Sequence, residues 1–133
     1  MTQAPRAFFQ SIAPQFVVPD VVKAAEYYRD VLGFTIDGYF LDPPVFAIVR
    51  RDGAEFHFGK SDSPEPFTNS VVRRDGLDAY VRIDDCDLLA QELKGRGATI
   101  LQGPIDREYA CREIVVRDCF GFRIAFGADT SHP

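Results

Sequence analysis

The feature that most constrains the fold of this chain is an internal repeat. A short apolar run that ends at Asp20, ahead of a helical pattern, recurs about 65 residues later in a run that ends at Asp85. Each aspartate can begin a helix, because its carboxylate accepts backbone N–H groups that the first turn leaves unpaired. Each helix then ends at a glycine, Gly33 or Gly97, since glycine adopts the left-handed conformation at little cost. The sequence therefore contains one supersecondary unit written twice.

Later positions extend the repeat to a whole βαβββ unit. The turn Arg51-Asp52-Gly53 has a counterpart that begins at Arg117-Asp118, and the two copies end at Gly59 and Gly127. An Asp-Gly turn between alternating strands indicates a hairpin. The strands are predicted at 13–18, 34–40, 45–50 and 54–59, and again at 78–83, 99–102, 111–117 and 122–127, with a loop at 103–110.

The predicted fold is α+β, with two tandem βαβββ modules in a single domain that covers residues 1–133. The first module spans 12–59, a polar linker with two prolines spans 60–76, and the second module spans 77–127. The tail at 128–133, which contains His132, is expected to be disordered.

Composition narrows the partners and the compartment. The net charge of −5 argues against general binding to nucleic acid or to an anionic membrane, and no run of residues is long and apolar enough to span a membrane. The three cysteines, Cys86, Cys111 and Cys119, are odd in number and lack a CxxC spacing. All three are expected to be reduced thiols in the cytoplasm. Cys111 and Cys119 have no His or Lys nearby in the sequence to activate them, so both are expected to be inert.

The motifs of this repeat resemble the vicinal oxygen chelate superfamily, which contains glyoxalase I, extradiol dioxygenases, and fosfomycin- and bleomycin-resistance proteins. The resemblance rests on Val18-Pro19-Asp20, on the stretch 25–34, and on 109–121, and it covers about 12–127. The usual Asp-Pro-Asp-Gly turn of the family is replaced at 118–121 by Asp-Cys-Phe-Gly. The chain looks most like the bleomycin-resistance branch. That resemblance implies curved mixed sheets with helices on the convex face, and homodimers that sequester an antibiotic-like ligand in clefts between subunits.

Strand alternation divides each sheet into an apolar face, expected to pack on the helices, and a mixed polar face on the concave side. The candidate ligand-binding residues on that side are His57, Asp78, Tyr80, Arg82, Glu55, Tyr109, Arg112 and Arg123.

Each of these candidates has two interpretations. His57 either contacts a ligand or is a strand histidine bonded to a neighbour such as Asp78. Asp78 and Glu55 either hold a cationic ligand or pair with Arg82 or Arg123. Tyr80 and Tyr109 either stack on an aromatic ligand or simply pack. Of the adjacent Arg112 and Glu113, alternation allows one to face the cleft, and Arg112 is weakly favoured.

The metal enzymes of the superfamily carry ligands at four positions, which the repeat places here at Ala13, His57, Asp78 and Ala125. Two alanines leave such a centre short of the three protein ligands that a catalytic metal needs. The sequence therefore predicts no cofactor, no catalytic residue, and a metal-free protein that binds an aromatic or cationic small molecule. One alternative is a metal-dependent lyase or dioxygenase that uses Zn, Fe, Mn or Ni at His57, Asp78 and Glu55. Another is an interaction module without a small ligand.

Overall fold

The computed structural model describes residues 4–65 and 67–131, so His132 lies outside the described residues. Its elements follow the predicted order. They are β1 (Gln15–Val18), α1 (Val21–Asp30), β2 (Thr35–Phe40), β3 (Phe46–Arg51), β4 (Ala54–Lys60), a single helical turn (Asn69–Val71), β5 (Ala79–Ile83), α2 (Cys86–Gly95), β6 (Thr99–Arg107), β7 (Cys111–Arg117) and β8 (Arg123–Asp129).

Each module forms its own four-stranded mixed sheet, in the orders β1-β4-β3-β2 and β5-β8-β7-β6. The first strand of each module pairs in parallel with the last, and the other pairs are antiparallel. Gln15 lies opposite His57 in the first sheet, and Tyr80 lies opposite Ala125 in the second. These are the pairs that the repeat makes equivalent, so the structure confirms the predicted fold and the alignment of its two copies.

Both helices begin at the predicted aspartates. The Asp20 carboxylate accepts the backbone N–H of Lys23 at 3.0 Å, and the Asp85 carboxylate accepts that of Leu88 at 3.0 Å. Each helix buries an apolar stripe against its own sheet: Val21, Ala24, Ala25 and Tyr28 in α1, and Cys86, Ala90 and Leu93 in α2. No helix of the residues described here is long and apolar enough to cross a membrane.

A single apolar core joins the two modules, because both sheets turn their helix-covered faces toward it. The ring of Phe16 on β1 stacks on that of Phe122, just before β8, with the centroids 4.2 Å apart and the planes 3° from parallel. The buried Tyr28 hydroxyl donates to Asp118 Oδ2 at 2.7 Å across the same junction. Since the apolar faces share one core, the opposite, polar faces of both sheets point away from it.

Two predicted boundaries in the second module are wrong. The stretch predicted as a loop at 103–110 instead continues β6 as far as Arg107, because a bulge at Gly103 absorbs the break and pairing resumes at Ile105. The predicted disordered tail begins too early, since β8 extends to Asp129 and Ala128 is buried.

Candidate functional site

The two polar faces carry most of the predicted site residues, as strand alternation predicts. The first polar face consists of Gln15, Val17, Phe46, Ile48, Arg50, Glu55 and His57. The second polar face consists of Tyr80, Arg82, Cys111, Glu113, Val115, Arg123, Ala125, Gly127 and Asp129. Tyr109 reaches it from the turn before β7, and Arg107 from the end of β6.

The second polar face is centred on a buried carboxylate. Glu113 is 2% exposed, and its two oxygens accept hydrogen bonds from the Tyr80 hydroxyl at 2.6 Å, the Tyr109 hydroxyl at 2.9 Å and Arg107 Nε at 3.0 Å. Burial alone would raise the pKa of Glu113, but the hydrogen bonds from the two tyrosines and Arg107 outweigh it, so the pKa is lowered. The carboxylate is therefore charged at neutral pH and is fully engaged with its protein partners.

This network fixes both tyrosines as neutral donors with accessible rings. Burial raises the pKa of both Tyr80 and Tyr109, and the hydrogen bond to Glu113 raises it further. The residues remain 40% and 63% exposed. A Cβ at Gly127 would collide with the Tyr80 hydroxyl, so a glycine at this position of β8 allows the Tyr80 ring to reach across to Glu113 on β7.

Arg82 lies beside Tyr80 on the same face. Its guanidinium carbon is 5.3 Å from the centroid of the Tyr80 ring, and its Nη1 lies 3.2 Å from Cys111 Sγ. The inertness expected for Cys111 rests on the lack of a nearby His or Lys in the sequence, and it stays a prediction; the fold brings the Arg82 guanidinium against this thiol. The thiol of Cys119 fits the prediction of an inert cysteine, because burial, followed by the charge of Asp118, raises its pKa to about 12.

The first polar face holds His57 in a chain of polar contacts. His57 Nε2 lies 2.6 Å from Glu55 Oε2, and Glu55 also pairs with Arg50, which in turn binds Asp37 at 3.0 Å. One of the two interpretations of His57 had it bonded to a neighbour such as Asp78; the structure shows a bond to a neighbour, and that neighbour is Glu55. Glu55 was expected to pair with Arg82 or Arg123, and its arginine is Arg50.

Asp78 supports the start of β5 and the linker before it. Its Oδ1 accepts the backbone N–H of Asn69 and its Oδ2 accepts that of Arg123, both at 2.8 Å. The predicted pairing of Asp78 with an arginine side chain is wrong, because two backbone donors take its oxygens. The Arg123 side chain donates instead to the carbonyl of Arg74 at 3.1 Å.

The sequence weakly favoured Arg112 as the residue that faces the cleft, but its side chain lies on the other side of β7, toward α2. It donates to Asp87 on α2 at 3.1 Å and to Asp106 at 3.1 Å, whereas Glu113 faces the second polar face. The pairing of Ile114 with Phe126 would have identified the face of each β7 residue, and the sequence analysis did not use it. Phe126 belongs to the apolar set of β8, so Ile114 and Arg112 must share its face and Glu113 must take the other.

The residues at the four metal positions of the superfamily do not fit a metal centre. Ala13 and Ala125 offer no ligand atom, and backbone donors occupy both oxygens of Asp78. Within 4–65 and 67–131, no group of three His, Cys, Asp or Glu side chains is arranged to hold a metal ion. His57 and Glu55 remain as one adjacent pair, and His57 Nδ1 is buried without a hydrogen-bond partner among those residues.

A cavity of about 1000 Å³ opens between the two modules along β5. Its walls are mainly apolar and include Phe34 and Phe56 from the first module and Val81, Leu89 and Phe126 from the second. Tyr80 and Arg82 also border it, so this cavity and the second polar face share one strand. The lining also includes charged side chains, of which six are carboxylates: Asp52, Glu55, Asp78, Asp84, Asp85 and Glu92. A cavity that combines apolar walls with polar groups is typical of a small-molecule site.

Together these features define a protein with two fused βαβββ modules, each presenting a polar sheet face opposite its helix. The model of the Glyoxalase/Bleomycin resistance protein/Dioxygenase superfamily matches residues 10–126, and the chain belongs to this superfamily.

Solved structures of similar fold include proteins that bind antibiotics. The bleomycin-binding protein from Streptomyces verticillus, solved with copper(II)-bleomycin, is 24% identical with a TM-score of 0.69, over 92% of this chain and 98% of that one. TnmS3, an antibiotic binding protein from Streptomyces sp. CB03234, is 21% identical with a TM-score of 0.69, over 94% and 99%. TioX from Micromonospora sp. ML1 is 20% identical with a TM-score of 0.72, over 91% and 99%. A search of curated protein sequences gives no match.

Proposed function

We propose that this protein is a metal-free binding protein that sequesters a small, aromatic, antibiotic-like molecule and thereby protects a cell from it. The observation that carries the proposal is the second polar face, where a buried Glu113 holds Tyr80 and Tyr109 with their rings exposed. Rigid aromatic rings with tethered hydroxyls offer stacking surface at little cost in conformational entropy. The adjoining apolar cavity along β5 offers room for the remainder of such a ligand.

The family and its neighbours support this proposal. Two of the structures that share the fold are described as binding bleomycin or an antibiotic. The four positions that carry metal ligands in the enzymes of the superfamily hold two alanines here, which favours binding over metal-assisted catalysis. The free thiols suit the reducing cytoplasm as the compartment.

We further propose that the binding unit is a homodimer. Strands β1 and β5 each pair on one side within the described residues, so each leaves an open sheet edge beside a polar face. Apolar side chains also stand exposed near the first polar face, including Val17 at 54% and Phe40 at 62%. Association of two copies would cover these edges and close a cleft between polar faces. Sedimentation equilibrium tests this directly, and a monomer at micromolar concentration would contradict it.

The binding proposal is tested by pairing metal analysis with a ligand screen. The protein is purified without chelator, dialysed against zinc, iron, manganese and nickel salts, and measured by elemental analysis. Planar aromatic antibiotics are then titrated into the protein, and binding is followed by fluorescence. Each bound ligand is recovered, and its mass is measured by mass spectrometry. We expect less than stoichiometric metal and an unaltered ligand. A stoichiometric metal together with a chemically changed ligand would refute sequestration.

The alternative is a metal-dependent lyase or dioxygenase, and one observation favours it. His57 has a buried, unpartnered Nδ1 among the described residues, and Glu55 lies 2.6 Å from its other ring nitrogen. Imidazole and carboxylate are suitable ligands for Zn or Fe. If a metal is found, a His57→Ala variant should lose it, whereas an Asp78→Asn variant should retain it, because backbone groups already bind the Asp78 oxygens.

A further inference from the structure

The carboxylates at the centre of the two polar faces, Glu113 and Glu55, are already bonded to partners within the protein. Glu113 is bound to Arg107 and two phenols, and Glu55 is paired with Arg50 and bonded to His57. A cationic ligand would have to compete with these partners for oxygens that are already bonded. Neither Glu113 nor Glu55 therefore provides an open site for a cation.

Arg82 on the second polar face is not matched in the same way. Arg82 donates to the Cys111 thiol, which is a weak acceptor, and stacks near the Tyr80 ring. Asp129 acts on Arg82 electrostatically, but its carboxylate also accepts from the backbone and hydroxyl of Ser131. A guanidinium has five donors in a planar fork, so Arg82 retains donors that suit a bidentate anion.

The position of Arg82 next to Tyr80 also favours an anionic aromatic ligand. Arg82 and Tyr80 are on the same face of β5, two residues apart, and both border the apolar cavity. Because the Arg82 guanidinium lies over the Tyr80 ring, a flat ring packed against Tyr80 and Tyr109 would bring an acidic substituent near this guanidinium. Because Glu113 and Gly127 fix where Tyr80 lies, the fold sets the position of the stacking surface next to Arg82.

We propose that the second polar face selects planar aromatic acids, with the ring on Tyr80 and Tyr109 and the anionic group on the guanidinium of Arg82. This inference rests on the proposed binding function and gives its ligand a chemical class. It reverses the sign of charge expected from the sequence. Glu113 acts as a positioning residue for the two tyrosines and does not itself contact the anion.

The test compares three probes that share one ring system: anthracene-9-carboxylate, its neutral carboxamide, and 9-(aminomethyl)anthracene. Each is titrated into the full-length protein and followed by anthracene fluorescence. We expect the carboxylate to bind about tenfold or more tightly than the amine, with the amide between them, and this preference to weaken as salt is added.

Variants separate the charge from the stacking. Arg82→Gln should cost the carboxylate about tenfold in affinity while leaving the amide nearly unchanged, because one charge-assisted bond pair is lost. Arg29→Gln is the matched control, since Arg29 is an exposed arginine on α1 that pairs with its neighbour Asp30. Gly127→Ala should weaken all three probes alike, because the added Cβ displaces Tyr80.

Each outcome decides a different question. Equal or tighter binding of the amine would overturn the preference for acids and would leave the binding function intact. An equal loss of all three probes in Arg82→Gln would show that Arg82 acts by structure and would also overturn it. Failure of all three probes to bind the wild-type protein would count against both the acid preference and the aromatic-binding function.

Discussion

The hydroxyl of Tyr28 offers a direct measure of what holds the two modules together. Tyr28 is fully buried on α1, and its hydroxyl donates at 2.7 Å to Asp118 Oδ2 in the second module. The other oxygen, Asp118 Oδ1, accepts the backbone N–H groups of Phe120 and Phe122, each at 2.9 Å. A Tyr28→Phe substitution removes one donor and leaves a buried carboxylate oxygen without it.

The expected loss follows from the charge and burial of the acceptor. A hydrogen bond to a charged group contributes about 1.5–3 kcal/mol, and Asp118 keeps its two backbone donors, so we expect Tyr28→Phe to cost about 2 kcal/mol. In urea this corresponds to a midpoint lower by about 1 M for a domain of this size. Tyr27→Phe is the matched control. Its hydroxyl reaches the Arg117 carbonyl at a long 3.4 Å, and its loss should cost less than about 0.5 kcal/mol.

The cost of Tyr28→Phe should also depend on pH. Burial raises the pKa of Asp118 despite the hydrogen bonds from Tyr28, Phe120 and Phe122. The stability that accompanies this raised pKa is fully present below the unfolded-state pKa and is lost as pH rises through the folded-state pKa. Losing the Tyr28 bond raises that pKa further, so the penalty should be larger near pH 7 than near pH 4. Equal costs for the Tyr27 and Tyr28 variants, or a cost independent of pH, would refute this reasoning.

Two other perturbations probe the same fold. Glu92→Gln breaks the ion pair with Arg51 that joins the modules at 2.7 and 2.9 Å, and also the 3.0 Å pair with Arg96 at the end of α2. Because these side chains are about one-third exposed or more, we expect a total loss of about 1 kcal/mol or less in urea unfolding. Arg51 lowers the pKa of Glu92, so the contribution of this pair to stability is present above the unfolded-state pKa and should be lost on acidification. If the variant and the wild type lost the same stability on acidification, this prediction would be contradicted. Gly103→Ala puts a Cβ against the backbone carbonyl of Glu113 at a φ of +92° and should cost about 2 kcal/mol or more by thermal unfolding, whereas Gly53→Ala, where a Cβ meets nothing within 4 Å, should be nearly neutral.

Much of the fold follows from local rules that can be read along the chain. The caps at Asp20 and Asp85 depend on a carboxylate next to its own helix, and the helices begin there as predicted. The alternation of Phe56 with Glu55 and His57 depends on the two-residue period of a strand, and it assigns the faces of β4 correctly. The rule that a glycine ends a strand was less reliable at Gly103, because a bulge within β6 has the same local sequence pattern as a loop.

The candidate site depended on contacts that no local rule contains. The sequence supplied Tyr80, Tyr109 and Arg82 as candidates but could not choose between Arg112 and Glu113. Cys111, Glu113 and Val115 alternate along β7 with residues that are equally apolar, so the pattern did not show that Glu113 fixes both tyrosines. The pairing of β7 with β8 decided which set faces outward.

The sequence by itself determined the repeat, the superfamily and the pattern of faces, since these depend on spacing along the chain. The tertiary structure alone decided the charge that each face offers to a ligand. That charge depends on which carboxylate meets which arginine: Glu55 meets Arg50, Glu113 meets Arg107, and Arg82 meets a thiol. Such pairings join residues on different strands, and their geometry exists only after the strands are in register.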